Sequence, residues 1–254
     1  MLLAVNIGNS NTRFGVFKSE EEIISWTINT KPYRTEDECY AKFKGMYGPF
    51  GFSKEDITQI VVGSVVPPMT HSVVNSLKRI HSIEPKVVDR NTPSGVKHKS
   101  KQMGTDLYAN AVAAHELYPG KKIVIDFGTA LTFTGIDENG QTLGVVIAPG
   151  IKTALKSLID ETAQLPEIEL KAPEKVLGFD TESCMQSGMV YGFTSFVEGM
   201  IDRINREVND QCFVVATGGM SAVYAPLTDK IDQQDVLHTL KGLGFLAKEK
   251  KPTE

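Results

Sequence analysis

Val124–Asp137 reads VIDFGTALTFTGID and Ala4–Phe17 reads AVNIGNSNTRFGVF; the later block repeats the earlier one 120 residues on. Laid over each other, Asn6 falls on Asp126, Gly8 on Gly128, Thr12 on Thr132 and Gly15 on Gly135. Each block is an apolar strand, a polar turn with a glycine, and a second strand rich in β-branched or aromatic residues. That is the pattern of a β-hairpin. The spacing is too long for a solenoid unit and implies two copies of one domain.

A second pair follows the same logic. Ile60–Pro67 (IVVGSVVP) and Phe213–Met220 (FVVATGGM) both read as buried strands that end in a small polar turn. A helical stretch precedes each, the first within about Thr35–Tyr47 and the second over Met185–Val208. In the second, Met189, Phe193, Phe196, Val197, Met200, Ile201 and Ile204 fit one helical face. They outnumber what one stripe requires, which suits either a dimer face or burial between sheet and lobe. A further helix follows Gly104, where TDLYANAVAAHELY supplies good formers until Pro119-Gly120 stops it. Alternating strands and helices imply α/β layering. The expected division is an N-terminal lobe over 1–118 and a C-terminal lobe over 119–254, packed as one unit with a cleft between them.

Composition narrows the function classes. Hydrophobic residues at 41% and charged residues at 23% describe a globular chain. A net charge of −4 lacks the basic footprint of a nucleic-acid binder. It does not disfavour a nucleotide, because a nest of backbone N–H groups holds phosphate without net positive charge. Cys39, Cys184 and Cys212 are odd in number with no close pair, which fits reduced thiols. No CxxC or HExxH motif supports zinc, no apolar run approaches a membrane span, and the opening MLLAVNIGNSN lacks a basic n-region. The expected setting is the cytoplasm, without a membrane or nucleic-acid partner.

The glycine turns carry the chemistry. Glycine permits positive φ and close backbone approach, and asparagine, serine and threonine add donors beside the exposed N–H groups. Two such turns can clamp the β- and γ-phosphates of a nucleotide, and phosphoryl transfer needs mainly this positioning plus charge neutralisation. A single glycine turn is also the commonest hairpin signal; the matched pair gives it weight. No GxxxxGK[ST] loop, GxGxxG turn or GxSxG elbow offers another route.

Several segments run in order from residue 5 to about 220: NIGNSNTRFG, WTINT with TEDE, GSVVPPMT, MGTDLYANAVAAH, DFGTALTFTGID, GVVIAPGI, ETAQLP, TESCMQSGMVYG and VATGG. Together they resemble type III pantothenate kinases, within the superfamily of actin and the sugar and acetate kinases. The resemblance implies an α/β fold of duplicated ribonuclease-H-like (actin-like ATPase) lobes, each a mixed sheet with helices. It implies ATP-dependent phosphorylation of pantothenate to 4′-phosphopantothenate, the first step of coenzyme A biosynthesis, with Mg²⁺, a monovalent cation (K⁺ or NH₄⁺) and a homodimer. By the same resemblance Asn6, Ile7, Gly8, Asn9, Ser10, Asn11, Thr12 and Arg13 form the first phosphate turn, and Thr129 contacts ATP. Asp106 is the catalytic base within the substrate-binding stretch Gly104, Thr105, Asp106 and Leu107. Asp126 is the cation ligand, and Thr181 is a substrate contact supplied to the partner subunit. Without the resemblance, Asp106 reads as a helix cap and Asp126 as an acid bonded to its own turn.

Three positions depart from the family pattern. Asn6 stands where an aspartate is expected, Leu107 where an arginine would grip the pantothenate carboxylate, and Lys97 near a tyrosine's place. Lys97, Lys99 or Lys101 are candidate replacements for the arginine, against the plainer reading of a solvated loop. The departures keep two alternatives open: a degenerate kinase that binds nucleotide or metabolite without turnover, and a related small-molecule kinase with a changed acid pocket.

Overall fold

The computed structural model describes residues 1–19 and 22–248. The chain forms two compact units, Met1–Glu116 together with residues from Leu237 onward, and Leu117–Val236. In the first unit β1 (Leu2–Ile7), β2 (Asn11–Phe17), β3 (Ile23–Asn29), β4 (Gln59–Ser64) and β5 (Lys86–Val88) make a sheet in the order β3-β2-β1-β4-β5. β1 to β3 are antiparallel neighbours, while β4 and β5 join in parallel. In the second unit β6 (Lys122–Phe127), β7 (Ala130–Ile136), β8 (Thr142–Pro149), β9 (Phe213–Thr217) and β10 (Gln233–Gln234) repeat the same order and polarity as β8-β7-β6-β9-β10. This is the duplicated ribonuclease-H-like arrangement that the two sequence blocks announce.

The repeat is exact along β1 and β6 but slips at the turn. Gly8 N–H donates to the Asn11 carbonyl, whereas Gly128 N–H donates to that of Ala130, so the second turn is one residue shorter. Strand pairing sets Asn6 opposite Arg13 and Asp126 opposite Thr132. The counterpart of Thr132 is therefore Arg13, not the Thr12 given by a constant offset. By the same pairing Gly15 corresponds to Thr134, not to Gly135.

In the first unit one face of the sheet (Leu3, Val5, Ile7, Phe14, Val16, Ile60, Val62) packs on α1 (Glu36–Lys44) and α2 (Pro67–His81). The Thr35–Glu38 capping box starts α1. Pro67 and Pro68 open α2, whose Met69, Val73, Leu77 and Ile80 recur at helical spacing and are buried. The other face carries Gly15 and Gly63 and receives α8 (His238–Ala247). A Cβ on Gly15 would lie 2.8 Å from Leu240 Cδ1, and one on Gly63 2.7 Å from Leu243 Cδ2. α8 also grips α3 (Thr105–Leu117), with His238 Nε2 on the Asn110 carbonyl at 3.1 Å and Thr239 Oγ1 on Asn110 Oδ1 at 2.8 Å. The C-terminal lobe expected over 119–254 is thus shortened, because the last helix returns to the first unit to cover a glycine-bearing sheet face.

In the second unit Ile123, Ile125, Phe127, Leu131, Phe133, Val214 and Ala216 pack on α4 (Ile151–Asp160), α5 (Thr181–Ser187) and α6 (Phe193–Val208). α5 and α6 are the helix expected over Met185–Val208, begun four residues earlier and interrupted by a π-helical turn at Gly188–Gly192. There Tyr224 Oη donates to the Met189 carbonyl at 3.1 Å. Of the seven apolar positions, Met189, Val197 and Ile201 are core and Phe193, Met200 and Ile204 pack against it, which favours burial on its own sheet. Phe196 is the exposed exception.

A Cβ on Gly242 would overlap the Ala109 carbonyl. Gly242→Ala is expected to cost about 1–3 kcal/mol in denaturant unfolding. Gly45→Ala, where a Cβ meets nothing within 4 Å, is expected to stay within about 0.5 kcal/mol of wild type.

Candidate active site

The first turn consists of Gly8, Asn9 and Ser10, braced from behind by Thr30, which is fully buried. Thr30 N–H donates to the Ser10 carbonyl at 2.9 Å and its hydroxyl donates to that of Gly8 at 2.7 Å. With that proton committed, the 2.9 Å bond between Thr12 and Thr30 hydroxyls has Thr12 as donor. Thr12 and Ile7 therefore point inward and hold the turn. Asn9, Ser10 and Asn11 are exposed, while Asn6 and Arg13 are half-buried cross-strand neighbours on one face of the sheet.

Asp106 occupies the first turn of α3, where the Gly104 carbonyl accepts the Tyr108 N–H at 3.0 Å. Its Oδ1 accepts the Leu107 N–H at 2.8 Å. Gly104 has to be glycine for this geometry, since a Cβ there would stand 2.6 Å from Asp106 Oδ1 and 3.4 Å from Val65. Burial pushes the Asp106 carboxyl above its usual range, against the lowering by the backbone N–H bonds. Thr105 is buried and Leu107 is half-buried beside it. Lys97, Lys99 and Lys101 are exposed, on a loop whose His98 ring contacts the Arg90 and Ser100 carbonyls.

In the second unit three glycines converge on the β6–β7 turn. Gly218, at φ +88°, follows β9; a Cβ there would lie 2.5 Å from Asp126 Oδ1 and 2.7 Å from the Phe127 backbone. One on Gly128 would lie 3.3 Å from the same oxygen. A Cβ on Gly150, just before α4, would overlap the carbonyls of Gly128 and Thr129. The Thr129 carbonyl instead accepts Gly150 N–H at 3.1 Å and Thr153 Oγ1–H at 2.8 Å. Gly150 and Gly218 lie inside the quoted segments GVVIAPGI and VATGG, but nothing in those letters shows which backbone they approach. Both Asp126, half-buried, and Thr129, exposed, border this cradle.

Met220, two residues beyond Gly218, borders a cavity of about 590 Å³ whose walls include Lys152, Leu155, Lys156, Ile159 and Asp160 of α4 with Glu167, Ile168 and Leu170. A larger depression of about 850 Å³, lined by Asp202, Asn205 and Asp210 among others, lies near the start of β9, at the opposite end of that strand from Gly218. Ligands in open α/β sheets gather at the carboxyl ends of strands, so the smaller cavity is the one associated with the site. Thr181 is exposed at the start of α5, where the Asp180 carboxylate accepts the Ser183 N–H at 2.8 Å. Ahead of it Leu177 and Phe179 are 80% and 94% exposed.

The family model described as type III pantothenate kinase matches residues 2–203. A type III pantothenate kinase from Halalkalibacterium halodurans is 37% identical over 251 residues, covering 98% of this chain and 99% of that protein. One from Syntrophobacter fumaroxidans is 36% identical over 255 residues, covering 99% of each. Among solved structures, a ROK family glucokinase from Streptomyces griseus in complex with glucose and AMPPNP superposes with TM-score 0.54 at 13% identity, covering 97% of this chain and 98% of that one, a likeness of fold.

A raised Asp106 pKa means that the folded state holds the proton more tightly than the unfolded chain. Ionised Asp106 therefore costs stability at neutral pH, and the cost is relieved as pH falls through the folded pKa. Asp106→Asn is expected to raise Tm at neutral pH, with the gain shrinking toward acid; an unchanged or lower neutral Tm contradicts this.

Proposed function

Because the chain belongs to the type III pantothenate kinase family, we propose that it transfers the γ-phosphoryl group of ATP to the hydroxyl of pantothenate, the first step toward coenzyme A. The observation that carries the mechanism is the Asp106 carboxylate, fixed at the start of α3, accommodated by Gly104 and raised in pKa by burial. In this reading it accepts the hydroxyl proton as the phosphoryl group arrives, and its raised pKa makes it a better base than an exposed aspartate.

The phosphates rest on the exposed donors of the Gly8–Asn11 turn, with Arg13 beside Asn6 as the cationic side chain. Thr129 and the glycine cradle are the proposed nucleotide contacts of the second unit, beside a cavity at Met220 whose walls mix aliphatic side chains with Lys152, Lys156, Asp160 and Glu167. Mg²⁺ fits as a phosphate-borne ion: the described residues hold no group of three or more His, Cys, Asp or Glu placed to bind a metal. When bound it supplies neutralisation of phosphate charge. Asp126 is the proposed ligand of the monovalent cation. Leu107 cannot grip a carboxylate, and the solvated positions of Lys97, Lys99 and Lys101 make them at most loose partners of the pantothenate acid.

A homodimer is the proposed assembly, with Thr181 serving the partner's substrate. It is supported by Leu143, Val145 and Ile147, exposed at intervals of two on edge strand β8, and by the exposed Leu177 and Phe179 ahead of Thr181. Three unpaired thiols support a reducing, cytoplasmic setting, and no described helix is long and apolar enough to cross a membrane.

Purified protein is expected to form 4′-phosphopantothenate from ATP and pantothenate, with an acid limb in kcat/KM above the usual aspartate range and a loss of at least about 100-fold in Asp106→Asn. No product under any combination of Mg²⁺ or Mn²⁺ with K⁺ or NH₄⁺ overturns the assignment. If Asn6→Asp with Leu107→Arg then creates turnover, while the natural chain shows only nucleotide-induced stabilisation, the degenerate-kinase alternative holds.

A further inference from the structure

The pairing of β6 with its two neighbours places Asp126 opposite Thr132 on β7 and opposite Thr217 on β9. Residues directly opposite on adjacent strands project from the same face of a sheet. The carboxylate and two hydroxyls therefore stand side by side in one row, about 5 Å between neighbouring Cα atoms. Thr217 is fully buried and Thr132 is 8% exposed, and neither hydroxyl has a hydrogen-bond partner. Buried hydroxyls almost always find one, and leaving one unmade is costly. Two of the five such side-chain atoms among the described residues flank the same carboxylate.

The first unit is the internal control. The positions corresponding to Thr132, Asp126 and Thr217 are Arg13, Asn6 and Gly63, which give one cationic side chain, one amide and no hydroxyl. The sheet geometry alone does not demand the Thr–Asp–Thr row, since the same fold is built without it.

We propose that Thr132 and Thr217 are, with Asp126, ligands of a monovalent cation, and that this donor set selects a monovalent over a divalent ion. The inference rests on the reading of Asp126 as a cation ligand and adds the residues that complete it. Each hydroxyl offers lone pairs from a neutral oxygen, so the row carries a single negative charge, matched to one positive charge. Small hard divalent ions favour several carboxylates or phosphates and tight octahedral spacing. Oxygens spaced by β-sheet neighbours suit a larger, more loosely held ion. The close approach of Gly128 and Gly218 to Asp126 Oδ1 fixes the carboxylate without a side chain in the way.

The test uses the full chain, alone and with a non-hydrolysable ATP analogue, and follows thermal unfolding and calorimetric titration in KCl against choline chloride at constant ionic strength. Wild type is expected to gain Tm with K⁺. Thr132→Val and Thr217→Val are expected to raise the half-saturating K⁺ concentration by about 10-fold or more, while Thr132→Ser and Thr217→Ser stay near wild type. In choline the valine variants are expected to be no less stable than wild type, since each loses an unsatisfied hydroxyl. Valine variants that keep the wild-type K⁺ response overturn the proposal. If Asp126→Asn loses that response while they keep it, the cation reading of Asp126 stands and only the threonines fall. A wild type without any K⁺-specific response sinks both, and a response to Mg²⁺ in place of K⁺ overturns the selectivity.

Discussion

The carboxylate of Asp126 lies so close to the backbone at Gly218 that a single added carbon would sit 2.5 Å from its Oδ1. The second unit is organised around that approach. Gly218 adopts a positive φ that side chains resist, and so lets the chain turn tightly out of β9 beside the β6–β7 turn. The Met220 N–H then reaches the Phe127 carbonyl at 3.3 Å, and Gly150 brings the start of α4 onto the carbonyl of Thr129. Two chain segments, the exit of β9 and the start of α4, are drawn onto one turn by residues that lack side chains. The polar groups at that turn, Asp126 and Thr129, are the proposed contacts of the cation and the nucleotide.

The first unit repeats the framework with different chemistry. Val65 N–H meets the Ile7 carbonyl at 3.0 Å, much as Met220 meets Phe127. The charged row, however, is inverted: Arg13 beside Asn6 in one unit, Asp126 between two threonines in the other. The two units share a framework and differ in charge at the turn; in the proposed reading the first turn takes anions and the second a cation. Asn6 belongs to this division. In the proposed reading, Asn6 opposite Arg13 adds no negative charge beside that cation, where an aspartate would.

Much of this was legible in the sequence, because hairpins leave local signals. The blocks AVNIGNSNTRFGVF and VIDFGTALTFTGID declare strand, turn and strand through their own alternation and glycines, and Gly104 followed by TDLYANAVAAHELY declares a helix start. What stayed hidden depends on distant contacts. The one-residue shortening of the second turn shifts the β7 alignment, yet no single letter marks it. The return of α8 to the first unit is decided by Gly15, Gly63 and Gly242 leaving space for its side chains and backbone, which local periodicity does not encode. Thr12, counted among the phosphate-turn residues, is turned inward by Thr30, a partner 18 residues away. The orphaned hydroxyls of Thr132 and Thr217 become visible only once strands are paired.

The two glycine turns, unequal in charge, are proposed to hold the phosphates and the cation of a pantothenate kinase. The most direct measurement is a crystal structure with a non-hydrolysable ATP analogue, Mg²⁺ and thallium(I), whose anomalous signal marks a K⁺ site. Phosphate density is expected on the Gly8–Asn11 turn with Arg13 in contact, and a thallium peak within bonding distance of Asp126. Phosphates bound away from that turn, or thallium found only elsewhere, would contradict it.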